Sequence, residues 1–160
     1  MRSKISTAFG IIISIIIAQM AGLIGSFFTV SGVQNWYVYL QKPVFSPPSW
    51  LFAPAWITLY TLMGIAAFLV WKKRNIIGAK PALWVYGIQL GFNALWSFIF
   101  FGMRNPGLAF IEIFILWVLI LIVTVKFFKI DKGAGYLFLP YILWVTFASV
   151  LNFAVWQLNL

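Results

Sequence analysis

Five apolar runs, each about as long as a helix that crosses a lipid bilayer, occupy most of the chain. They cover roughly residues 5–28, 49–71, 82–103, 106–128 and 134–158, and the connections between most of them are short. Charged residues make up 8% of the 160 positions, against about a quarter in a soluble domain. A surface so poor in charge cannot face water. The expected fold is therefore an all-α integral membrane protein, a bundle of five transmembrane helices forming one domain over 1–160.

The opening "MRSK" followed by an apolar run has the form of a signal peptide. The run continues through "AQMAGLIGSFF", past the length of an h-region, so a retained first helix is expected. Ser14, Ala18 and Gly22, with Ala21 and Gly25, fit a helix packed closely on its neighbours. Five spans put the termini on opposite sides. One side then carries Arg2, Lys4, Lys72, Lys73, Arg74, Lys80, Lys126, Lys129 and Lys132, and the other only Lys42 and Arg104. This bias predicts a cytoplasmic N-terminus and an outer C-terminus, and the membrane expected is a bacterial cell membrane. It also explains the net charge of +9 without nucleic acid, since no helix keeps a basic face.

The composition excludes whole classes of chemistry. There is no His and no Cys, and the two acids are Glu112 and Asp131. Thiolate and imidazole metal sites, Ser-His-Asp or Cys-His nucleophiles and His or Cys haem ligation are all ruled out, so no metal site and no required cofactor are expected.

The remaining polar residues inside the spans are candidates for function. Glu112, about two turns into helix 4, reads either as a proton or cation carrier or as a tether to a neighbouring helix. Gln89, Asn93 and Ser97 recur every four residues on helix 3 and share one face, suited to interhelical bonding or to lining a cavity. Gly87 and Gly91 form a GxxxG at which another helix can approach. Of the nine Trp, Trp36, Trp50, Trp71 and Trp84 fall near span ends, as an interfacial belt requires. Trp56, Trp96, Trp117 and Trp144 lie deeper, where indoles pack or stack on flat conjugated ligands. Pro47 and Pro48 suit a first helical turn, whereas Pro54, a turn further in, is expected to leave the Trp50 carbonyl without its partner.

"WYVYLQKPVFSPPSWLFAPAW", "GIQLGFNALWSFIFFG" and "LPYILWVTFASVLNFAVW" resemble, in order and spacing, the translocator protein family (TspO, the peripheral-type benzodiazepine receptor) over essentially the whole chain. The resemblance implies a five-helix bundle, a homodimer, and a pocket closed by the loop after helix 1, here about 29–48. It implies binding of porphyrins such as protoporphyrin IX and of benzodiazepine-site ligands, with transport, sensing or degradation of the macrocycle as its consequence. By position, Trp56 and Trp144 match the pocket Trp pair linked to porphyrin breakdown, and are the candidate catalytic residues. Trp36, Tyr37, Lys42, Phe45 and Trp50 match the loop and its exit. Gln89, Asn93 and Trp96 match helix 3, and Ala148 a small residue on helix 5 where larger ones alter ligand binding. Lys42 and Arg104 are candidate partners for propionates. Two departures stand out. "KPVF" places Phe45 where the family has Trp, and "VLNFAVWQLNL" lacks the Tyr and the basic residue of a sterol-recognition segment, so cholesterol is not expected. The alternative is a small exporter that exchanges a proton on Glu112 for an amphiphile.

Overall fold

The computed structural model describes residues 2–160, with side chains from Thr7 onward. Helix α1 covers Arg2–Asn35, α2 Phe52–Lys72, α3 Ala79–Ser97, α4 Pro106–Ile130 and α5 Lys132–Leu158. All five are long and apolar enough to cross a membrane, and the described residues contain no strand. Around the bundle the helices neighbour one another in the order α1, α2, α5, α4, α3 and back to α1. One end carries Lys72–Lys80 and Lys126–Lys132 (the basic end). The other carries the loop 36–48 and the Arg104 turn (the loop end).

Local chemistry explains where the helices start and stop. Asn105 caps α4, its side chain accepting from the Leu108 N–H at 2.9 Å, with Pro106 in the first position, where no N–H is needed. Asp131 alone joins α4 to α5. Its carboxylate accepts from the Ala134 N–H at 2.9 Å and pairs with Lys73 at 2.7 Å, tying the α2–α3 connection to this junction. The bond from Lys73 and the cap together hold the Asp131 carboxyl below its ordinary pKa. Arg104 takes φ 54°, a left-handed turn residue between α3 and α4.

Two boundaries differ from expectation. Helix α1 runs to Asn35, seven residues beyond Phe28, because nothing in 29–35 breaks it and its last turns have something to pack on. A Cβ on Gly32 would lie 2.6 Å from the Phe101 side chain, and Thr29 Oγ1 donates to the Gly25 carbonyl. At 34 residues α1 is about 50 Å long. Pro54 is the other case. A single 3₁₀ turn over Ser49–Leu51 precedes α2, so Pro54 is its third residue, where an N–H has no helical partner anyway, and no helix bond is lost.

The packed core fills the basic half of the bundle, where Met63, Ala66, Val70, Ala82, Ile120, Val123, Phe127 and Phe138 are buried between α2, α3, α4 and α5. A smaller cluster at the loop end joins Tyr37, Ile99, Phe100, Ala109, Leu151 and Val155. Helix α1 closes on α2 through Gly64, whose added Cβ would come within 2.5 Å of the Ile15 Cα. Gly87 and Gly91 face outward with nothing within 4 Å, so the expected helix approach does not occur within this chain.

Candidate functional site

A cavity of about 540 Å³ lies towards the loop end, on the α1 side of the bundle. Its walls are α1 from Gln19 to Gln34, the 3₁₀ turn and start of α2 from Ser49 to Tyr60, Asn93 to Phe101 of α3 and the turn that follows it, and Trp144 to Val155 of α5. Tyr37 enters from the loop, and α4 contributes no wall residue. This is the size of a site for a drug-sized or cofactor-sized ligand, and apolar side chains dominate its lining.

The cavity exists because α1 changes partners along its length. Near mid-membrane it is fastened to α2: Gln19 Nε2 donates to the Ile57 carbonyl at 3.0 Å and to Thr61 Oγ1 at 3.2 Å, and Gly22 lies against the Tyr60 ring. Beyond that point α1 leans on α3 instead, with Gly25 against Ser97 and Gly32 against Phe101. A gap therefore opens between α1 and α2, with Leu23, Val30 and Ile57 exposed along its edges.

The turn after α3 shapes the far wall. Over Phe98–Gly102 the helix widens to i→i+5 bonding, with the Met103 N–H bonded to the Phe98 carbonyl at 2.8 Å. The extra residue brings Phe100 and Phe101 together inward, against Trp36, Tyr37 and Trp96. Wide turns of this kind recur at functional sites.

A buried polar chain lies behind the cavity. The Tyr60 hydroxyl donates to Asn93 Oδ1, Asn93 Nδ2 donates to the Tyr141 hydroxyl at 2.9 Å, and that hydroxyl donates to Gln89 Oε1 at 2.9 Å. Trp96 Nε1 donates to Asn152 Oδ1 at 3.0 Å, and Asn152 Nδ2 holds the Pro106 carbonyl at 2.8 Å. Trp96 is thereby fixed in place. Trp56 and Trp144 differ, since neither indole N–H has a hydrogen-bond acceptor among the described residues, although both rings border the cavity.

The structure brings together Tyr37, Trp56, Asn93, Trp96, Trp144 and Ala148 of the residues singled out from sequence. Five others lie outside the lining. Gln89 is fully buried and spent on helix contacts, to Tyr141 and Met63. Trp36 packs on Phe100, and Phe45 on Phe147. Trp50 is 72% exposed on the outer surface. Lys42 folds back over the Tyr37 ring, 4.8 Å from its centroid, towards the Val38 and Leu40 carbonyls. Burial raises the Tyr37 phenol above its ordinary pKa. Glu112 faces the bundle interior on α4, away from the cavity. Sequence reasoning passed over Gln19, Ser26, Thr29 and Gln34, which line the α1 wall. Their spacing of three to seven residues along one helical face was the available signal.

A profile of the TspO/MBR family matches residues 13–157. The chain belongs to the TspO/MBR family. Among its relatives, the tryptophan-rich protein TspO of Archaeoglobus fulgidus is 41% identical over 151 residues, covering 93% of this chain and 96% of the relative. The tryptophan-rich sensory protein of Cereibacter sphaeroides is 41% identical over 125 residues, 78% of this chain and 77% of its own length. The human translocator protein is 36% identical over 138 residues, 85% and 82% of the two chains. The match takes in part or all of each of the five helices, and the cavity walls of this TspO/MBR protein, from Gln19 to Val155, lie within it.

Proposed function

We propose that this protein is a membrane receptor for flat, conjugated amphiphiles, foremost tetrapyrroles such as protoporphyrin IX, together with ligands of the benzodiazepine-site type. The observation that carries this reading is a cavity of about 540 Å³ bordered by Trp56, Trp96 and Trp144 and backed by the Tyr60–Asn93 pair. Indole faces stack on a conjugated ring, and the unpaired N–H groups of Trp56 and Trp144 offer bonds to its polar edge. The proposed setting is a prokaryotic cell membrane, with the basic end and the N-terminus cytoplasmic. Lys42 and Arg104, at the loop end, stand near enough to the water to attract carboxylates rather than to hold them in the cavity.

Titration of the purified protein with protoporphyrin IX, in the dark and in light, tests this. The expected result is saturable quenching of Trp fluorescence that weakens in Trp144→Phe. Absence of saturable quenching, or quenching unchanged in that variant, overturns the assignment. Light-dependent loss of the macrocycle band that disappears in Trp56→Phe or Trp144→Phe adds oxidative ring opening by dioxygen to the binding function. A proton-coupled exporter working through Glu112 is the less favoured reading, because Glu112 lies off the cavity.

A further inference from the structure

The loop 36–48 leaves α1, reaches α5, and returns to α2, although α1 and α5 are not neighbours around the bundle. It therefore crosses the loop-end mouth of the cavity. Among the described residues, the hydrogen bonds that tie Tyr37–Pro47 to a helix other than α1 all involve one side chain, Asn159, just past the end of α5.

Its geometry is specific. Asn159 Oδ1 accepts from the Gln41 N–H at 2.9 Å, and Nδ2 donates to the Gln41 carbonyl at 2.9 Å. The second Nδ2 hydrogen goes to the Val155 carbonyl at 2.7 Å, one turn back on α5. The side-chain amide thus behaves as a peptide unit paired with Gln41 across 118 residues of sequence. The orientation of the amide is fixed as well, since exchanging its oxygen and nitrogen would set N–H against N–H and oxygen against two carbonyls. Val155 itself lines the cavity, and Tyr37, four residues before Gln41, enters it from the loop. The clip and the cavity therefore share one stretch of α5 and one turn of loop.

We propose that Asn159 is a positioning residue for the ligand site, a clip that holds the loop across the cavity mouth, keeps Tyr37 in the wall and slows ligand exchange on that side. The proposal rests on the receptor reading given above. It places the control of ligand residence in a side chain that touches no ligand.

Stopped-flow quenching by protoporphyrin IX in the dark, with protein in lipid nanodiscs, tests it on wild type, Asn159→Ala and Asn159→Asp. Losing two hydrogen bonds is expected to speed dissociation roughly tenfold, with faster association and a smaller change in Kd. Asn159→Asp keeps the acceptor for the Gln41 N–H and loses the donor, so its rates fall between. A purely structural role for Asn159 would lower the melting temperature and the binding amplitude without raising both rates. Dissociation from Asn159→Ala within twofold of wild type overturns the proposal. Hydrogen exchange at the Gln41 amide separates this from failure of the receptor reading. If wild type does not bind porphyrin, the clip is judged on exchange alone: acceleration of roughly tenfold in Asn159→Ala supports it, and unchanged protection overturns it.

Discussion

Glu112 is the side chain whose surroundings suit it least. It is 5% exposed, and neither carboxyl oxygen has a hydrogen-bond partner among the described residues. Burial of that kind costs about 1–3 kcal/mol. Glu112→Leu is therefore expected to raise thermal stability by that order, measured by fluorescence-detected unfolding in detergent. Glu112→Gln is expected to leave porphyrin affinity within twofold, because α4 supplies no cavity wall. A large loss of affinity in Glu112→Gln would return this residue to the site. Trp144→Ala should behave oppositely, losing at least about tenfold in affinity, or ~1.4 kcal/mol. Asp131 gives the fold a dependence on pH. Its pKa is lower in the folded protein, so the Lys73 bond and the α5 cap contribute at pH values above the ordinary aspartate range. That contribution disappears as pH falls through the depressed value, below about pH 4. Asp131→Ala should cost about 1 kcal/mol at pH 7, and the difference from wild type should vanish in acid unfolding scans.

At the scale of helices, the glycines separate into two kinds with opposite expected outcomes. Gly64→Val drives a Cβ into the α1 backbone at 2.5 Å and is expected to destabilise by about 1–3 kcal/mol. Gly87→Ala meets nothing within the chain and is expected, in the monomer, to be neutral or stabilising by up to about 1 kcal/mol. Comparing the two unfolding midpoints checks both. The five spans were legible because lipid requires about twenty apolar residues of each, and charge marks their ends. The end of α1 was not legible, since Thr29–Asn35 reads equally as polar loop or solvated helix until Phe101 appears against Gly32. Nor was the wide turn at Phe98–Gly102, because its i→i+5 register is set by the packing of Phe100 and Phe101 and not by any breaker residue. For the site, Trp56, Asn93, Trp96, Trp144 and Ala148 sit on helices, where periodicity fixes direction. Lys42 and Phe45 sit in irregular backbone and Trp50 in a single 3₁₀ turn, where sequence spacing says little about which way a side chain points. Gln89 shares Asn93's face but lies a turn deeper, below the cavity floor, among Met63 and Tyr141.

For the whole molecule, the resemblance to the translocator proteins implies a homodimer, and we propose the outward face of α3, with Gly87, Gly91 and the exposed Trp84, as the face on which a second copy packs. Gly91→Leu is expected to convert dimer to monomer in light scattering of the detergent complex while leaving porphyrin quenching in place. A dimer that persists in that variant places the interface elsewhere. The length of α1 has a different consequence. At 34 residues and about 50 Å it exceeds a hydrocarbon layer of about 30 Å, so it must lean or protrude. Because its lean sets the gap beside α2, bilayer thickness acts on the same opening. Porphyrin exchange measured across nanodiscs of increasing acyl-chain length should therefore slow as thicker lipid draws α1 upright, which would make the kinetics of the proposed receptor a property of the membrane it occupies as well as of its own residues.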